Sequence, residues 1–410
     1  MRLTRIVSML ALVSLIAGAA GAQEGSGGAG SAAPWAVPDD PAVALREPDR
    51  FAWQLFRALT WPADLDTRMA DPEAAYGAEV PVVFQTWILA SAAYPDNGGM
   101  PAPWEEFNPE TVVELDGTDG PLQLSLLREI PPIPPGTEGH QADEVRMNRP
   151  AFDYIRENGL YSTQGQQRFY YGQREVSFPP EAIEIKAVWR PITPEQADRY
   201  HWSRFRDAES GETLLYGLTA LHIMSKILPR WHWSTFEHVD NPFRDGIHDE
   251  GWLNRSRDSL ACPPERLDCN LAPEGLGLEG THWENYRLRG SQIEFTDDMG
   301  NPVILANSEL ETGFQTTASC MSCHVRATIG PNVNAPASFE FGPGHQDHPL
   351  APPRASRMSV FNVAPDGRIT SYFGTPDPDQ FRIKGMEGPY AATYTLLDYA
   401  WSLARAKPQP

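Results

Sequence analysis

Cys320-Met321-Ser322-Cys323-His324 is the stretch of this chain whose residue types and spacing carry the most definite chemistry. Two thiols three positions apart on a tight turn can each form a thioether with one of the two vinyl groups of a haem. The adjacent imidazole is then held under the ring, where one nitrogen binds the iron. C-x-x-C-H is the attachment pattern of a c-type haem. The single copy predicts one covalent haem on Cys320 and Cys323, with His324 as an axial ligand. Two other chemistries compete for the same cysteines. A redox dithiol belongs in a βαβ setting, which the neighbouring sequence lacks, and a zinc site needs a second pair of ligands. Cys262 and Cys269, the remaining cysteines, enclose Pro-Pro-Glu-Arg-Leu-Asp. In an oxidising compartment they are expected to form a short-loop disulfide, contributing about 2–3 kcal/mol.

The second axial position decides what such an iron does. A Met or His there closes the site and favours electron transfer, whereas an open position admits peroxide or a small gas. Met386, in Lys384-Gly385-Met386-Glu387-Gly388, is the candidate distal ligand. Met358 reads as strand packing, and Met321 lies inside the attachment turn and cannot reach the far face. His345 and His348 sit in a polar Pro/Gly loop and read as solvated. His222, His232 and His238 lie in a Trp-rich stretch, with His248 soon after. His232 and His238 would stand about 20 Å apart on one strand face, too far to share a metal. These histidines read as satisfied core or surface groups, and a distal role for one of them requires the fold to lay the sheet over the haem. Glu237 beside His238 suggests a buried acid–base pair.

The elements that must position these residues follow from periodicity. Ile183, Ile185, Ala187 and Trp189 alternate with Glu184, Lys186 and Val188, which predicts a half-buried strand. Leu214 to Ile227 is apolar around Gly217 and, with its β-branched and aromatic content, reads as strand. Residues 231–238 alternate again. Turn-rich connections between these runs predict an antiparallel sheet. A short helix is expected where Pro48 and Asp49 suit a first turn and Phe51, Leu55, Phe56 and Leu59 share a face, ending at Trp61-Pro62. From Ala63 to Pro150, Pro and Gly break the chain into loops with short elements. A hairpin is expected around Ala364-Pro365-Asp366-Gly367. Tyr390, Tyr394, Leu397 and Trp401 recur at helical spacing and predict a terminal helix over 390–405.

Composition narrows the partners and the compartment. The chain has 410 residues, and 54 acids outnumber 33 bases for a formal charge of -21, which repels phosphate backbones and excludes nucleic acid as a partner. Arg2 and Arg5 precede an apolar run from Ile6 to Ala17, which is shorter than the roughly 20 residues needed to span a bilayer. Ala20-Gly21-Ala22 supplies small residues for cleavage. The expectation is a signal peptide over 1–22 cleaved near Ala22, export to the periplasm and no transmembrane segment. A flexible leader follows over 23–46, then a β-rich body over 47–300 and a haem-c-binding segment over 301–410 packed on it as one large unit.

Four segments resemble a family of bacterial exported c-type cytochrome proteins: Phe51 to Pro62 (FAWQLFRALTWP), Leu221 to Pro242 around WHWSTFEHVDNP, Asn307 to Ala327 (NSELETGFQTTASCMSCHVRA) and Asp398 to Arg405 (DYAWSLAR). The resemblance implies one covalent haem on Cys320 and Cys323 with His324 as ligand, and it implies no substrate. The chain departs from small electron-carrier cytochromes, which place an aromatic about four residues before the first Cys. Here Phe314 lies further upstream and a long body precedes the motif. The expected fold is α+β, a β-rich antiparallel body with peripheral helices and a C-terminal haem-c segment. The expected function is electron transfer with a redox protein partner. The alternatives are a haem enzyme of peroxidase type or a gas sensor with an open iron position, or the haem subunit of a larger dehydrogenase complex.

Overall fold

The alternation at 183–189 belongs to an antiparallel sheet at the heart of the protein, seen in a computed structural model that describes residues 33–107, 114–115, 142–207, 213–241, 258, 271–299, 303–311, 315, 318–325, 327–329, 361–363, 369–372 and 395–409. In chain order the strands are β1 (Ala63–Asp64), β2 (Met69–Ala70), β3 (Ile88–Leu89), β4 (Glu114–Leu115), β5 (Ala142–Met147), β6 (Ile183–Pro191), β7 (Trp202–Asp207), β8 (Thr213–Ser225), β9 (His232–His238), β10 (Tyr286–Gln292), β11 (Thr328–Ile329), β12 (Phe361–Val363), β13 (Ile369–Tyr372) and β14 (Thr395–Leu396). The main sheet runs β10-β9-β8-β6-β5-β3, and β7 joins β8 with the short β4 parallel to it. The architecture is α+β with a β-rich antiparallel body.

β8 organises this sheet. Tyr216 to Ser225 pair with β6, while the other edge is shared: residues up to Gly217 pair with β7 and residues from Ala220 pair with β9. Gly217 sits where the partners change. A Cβ there would meet the Tyr200 ring at 2.8 Å and Ile192 at 2.9 Å, so the close approach of that loop requires the missing side chain.

Strand register divides the sheet into two unlike faces. One carries Ile185, Ile223, Phe236 and Leu288, the other Lys186, His222, Thr235 and Glu237. The apolar face is covered by α2 (Pro48–Leu59), which follows α1 (Pro41–Arg46). Phe51, Leu55, Phe56 and Leu59 of α2 are fully buried, each contributing roughly 1.5–3 kcal/mol. Phe236 packs against Phe56 at 4.3 Å and Trp53 at 4.9 Å between ring centroids. The α1 helix, with Ala44 buried, occupies the end of the segment expected to be a flexible leader. Helices Arg149–Glu157 and Thr163–Tyr171 start at side-chain caps from Asn148 and Ser162. From Pro34 onward the chain forms one compact unit. No helix among the described residues is long and apolar enough to cross a membrane.

The hairpin near the end is present as β12 paired with β13. The helix expected over 390–405 is not formed among its described residues, 395–405: Thr395–Leu396 form β14, paired with β11, and Trp401–Arg405 wind into a short 3-10 turn. The break is local and specific. Asp398 and Tyr399 take left-handed conformations, with φ of 49° and 65°, which no α-helix accommodates. Long-range contacts hold them there. Asp398 Oδ1 accepts from Lys226 Nζ at 2.6 Å and Oδ2 from Phe178 N at 2.8 Å, and its carbonyl accepts from Trp231 Nε1 at 2.8 Å.

Candidate haem-binding site

The Cys320–His324 turn is pinned at both ends. Ser319 caps it: its Oγ accepts from Ser322 N at 3.3 Å. Gln292, the last residue of β10, donates through Nε2 to that hydroxyl at 3.0 Å, and its Oε1 accepts from Met321 N at 3.2 Å. At the other end the Cys323 carbonyl accepts from Trp401 Nε1 at 3.1 Å. The β11–β14 pair then ties the chain just beyond the turn to the segment that ends in Asp398 and Tyr399. Met321 is fully buried and serves as the apolar anchor of the turn.

Cys320 and Cys323 form no disulfide. Cys320 is half-buried and packs against the core. Burial, reinforced by the Glu311 carboxyl and Cys323, pushes its thiol well above the usual range. His324 lies against Trp233, ring centroids 4.4 Å apart, and its Nδ1 is 2.8 Å from the Tyr399 carbonyl. Only an N–H can donate to a carbonyl, so Nδ1 carries the proton and Nε2 keeps its lone pair. Burial pushes the imidazole down to about 4, against the raising effect of the Tyr399 bond, and the ring is neutral near neutral pH. These residues suit a c-type haem: two thiols on one helical turn, and a neutral imidazole oriented through Nδ1 with Nε2 available to iron. Among the described residues no three His, Cys, Asp or Glu side chains stand together to hold a bare metal ion.

The polar face of the sheet lies alongside this turn, because Trp233 and Gln292, which touch it, are on that face. Next to them in the register, His222 stands between Lys186 and Thr235. Across from it lies the 303–311 segment. Asn307 Nδ2 donates to Thr235 Oγ1 at 2.8 Å, and Glu311 Oε2 accepts from Asn307 N at 2.6 Å. Burial pushes the Glu311 carboxyl up to about 7 and holds His222 well below its usual range. Sequence reasoning missed Lys186, Gln292 and Glu311. Lys186 carried a signal, a charge in mid-strand on the side away from the apolar set, whereas Gln292 and Glu311 carried none.

The other sequence candidates separate. His232 and His238 are on the apolar side. His232 packs on Phe51 with Nε2 2.8 Å from the Pro48 carbonyl, while His238 stacks on Tyr200 at 3.7 Å with Nε2 3.1 Å from the Arg199 carbonyl. Glu237 does not pair with His238, because adjacent strand residues point to opposite faces. Its Oε1 accepts from Arg287 Nη2 at 2.6 Å and Arg289 Nη1 at 3.2 Å, and its Oε2 from Ser308 Oγ at 2.7 Å. Met386, Met358, His248, His345, His348 and the Cys262–Cys269 pair lie outside the described residues. No protein-family model, curated protein or solved structure matches the chain.

Proposed function

We propose that the chain is an exported, periplasmic mono-haem c-type cytochrome that transfers electrons to or from a redox protein partner, with haem bound to Cys320 and Cys323 and held axially by His324. The observation that carries this reading is the His324 hydrogen bond to Tyr399, made within a turn that carries two thiols. Bound haem supplies one-electron exchange between ferric and ferrous iron. The residues around it position and insulate: Tyr399 orients the imidazole, Trp233 packs its ring, and Gln292, Ser319 and Trp401 fix the turn. The test is export and maturation of the whole chain followed by a haemochrome assay under denaturing conditions. One covalent haem per chain, attached through both cysteines, is expected. Loss of the two-thioether spectrum in Cys320→Ser and Cys323→Ser supports the assignment, and an unchanged spectrum in either variant defeats it.

The cluster of His222, Lys186 and Glu311 beside the turn favours a second reading, a haem enzyme or sensor with an open iron position, since titratable groups there can move protons. Carbon monoxide separates the two. A ferrous spectrum that changes on adding the gas supports the open site, and an unchanged low-spin spectrum supports electron transfer.

A further inference from the structure

We propose that His222 is the second axial ligand of the iron, so that the sheet itself closes the site and the coordination is bis-histidine. The inference rests on the haem reading above and deepens it. Register places His222 on the face that meets the attachment turn. Two positions along β8, Met224 stands opposite Trp233, whose ring touches His324, and Gln292 of the same face holds Ser319 and Met321. The His222 Nε2 atom is enclosed and has no hydrogen-bond partner among the described residues. The Glu311 Oε2 atom is 3.9 Å away, too far for a hydrogen bond. A buried imidazole nitrogen left unsatisfied is costly, and an iron bond is a natural use of it. The neighbouring histidines are otherwise employed: His232 and His238 bond to backbone carbonyls on the opposite face, and His201 pairs with Gln85 at 2.9 Å. His324 lies within electrostatic reach of His222. The sequence carried a trace of this, since His222 is the one imidazole in the apolar run Leu214–Ser225.

The experiment uses the mature, haem-loaded chain. Electron paramagnetic resonance and near-infrared magnetic circular dichroism of the ferric wild-type protein should show a low-spin bis-imidazole iron. In His222→Ala the low-spin signal should be lost in favour of high-spin iron and return on adding free imidazole. A wild-type signature of His–Met coordination, from Met224 or Met386, overturns the assignment, as does high-spin wild-type iron. A low-spin His222→Ala spectrum that matches the wild type overturns it too. Should His222→Ala fail to fold, His222→Met takes its place, and a bis-imidazole spectrum that persists in it overturns the assignment. A chain that acquires no covalent haem overturns the haem reading, and the ligand assignment with it, and is recognised by the haemochrome assay before any spin state is read.

Discussion

Replacing Asp398 tests the device that aims His324. Its carboxylate bridges Lys226 Nζ at 2.6 Å and Phe178 N at 2.8 Å, and both charged side chains of the pair are 7% exposed. Burial pushes the Asp398 carboxyl up and Lys226 draws it back. Removing one partner of a buried ion pair costs about 3–5 kcal/mol. The low end applies to Asp398→Ala, because Lys226 keeps a second acceptor, the Pro229 carbonyl at 2.7 Å. The left-handed backbone adds a further 1 kcal/mol or so, since Ala tolerates positive φ less well than Asp. Asp398→Ala should therefore lose about 4 kcal/mol, read as a lower urea midpoint by tryptophan fluorescence. Asp398→Asn, which keeps the conformation and an acceptor for Phe178, should lose about half as much.

The same variant carries a functional signature. With the 398–399 turn loosened, the Tyr399 carbonyl no longer fixes Nδ1 of His324, and in the proposed haem-loaded chain the imidazole would become a weaker donor to ferric iron. Loss of such an outer partner costs roughly tenfold in metal affinity, and tenfold in a one-electron couple is about 59 mV. In the haem-loaded chain the reduction potential should rise on the order of 60 mV. Lys226→Met should be non-additive with Asp398→Ala, with a coupling of at least 1 kcal/mol or so. A loss under about 1 kcal/mol together with an unmoved potential would refute the role given to this turn.

Three further outcomes follow from buried groups. Glu237→Ala leaves Arg287 and Arg289 buried without their carboxylate and should cost about 3–5 kcal/mol in chemical unfolding, whereas a loss near that of a surface substitution would contradict the buried triad. Glu184, whose Oε1 accepts from Ser402 at 2.8 Å, is pushed up to about 7 by burial from an ordinary 4.5. The native state then holds a proton that the unfolded chain releases, so this group's contribution declines as pH rises from about 4.5 to about 7. Glu184→Gln should gain on wild type across that window by on the order of 3 kcal/mol; a pH-independent difference would remove Glu184 from the balance. In the haem-free folded chain Cys320 should react with iodoacetamide far more slowly than in urea, because its thiol is enclosed and held protonated. Equal rates would show that its packing against the core does not shield it.

What the sequence made legible was local or periodic. The C-x-x-C-H motif stands out because its residues lie within five positions, and the alternation at 183–189 distinguishes the two faces of the sheet before any partner strand is known. The same period of two also separates Glu237 from His238, a signal present in the sequence itself. The terminal helix failed for the opposite reason. Tyr390, Tyr394, Leu397 and Trp401 have helical spacing, yet Asp398 and Tyr399 are held left-handed by Lys226, Phe178 and Trp231, contacts of long sequence separation. Propensity yields to such tertiary bonds. Had the helix formed, the Asp398 and Tyr399 carbonyls would have been taken by its own ladder and not by Trp231 and His324.

The size of the body before the motif has its explanation in the unlike faces of the sheet. A wall built only to hold a porphyrin would be most stable if apolar, since several kcal/mol attend each buried charge even when it is paired. This wall instead carries Lys186, His222, Glu237, Arg287 and Arg289 on strands whose reverse sides are packed with fully buried aromatics. The cost of the polar face is offset by the apolar one, where Phe51, Trp53, Phe56 and Phe236 each contribute roughly 1.5–3 kcal/mol. A short haem-holding segment has no such reserve, because a small domain buries too little surface to carry unfavourable groups in its interior. The long β-rich body is therefore what allows ionisable side chains to be kept beside the Cys320–His324 turn.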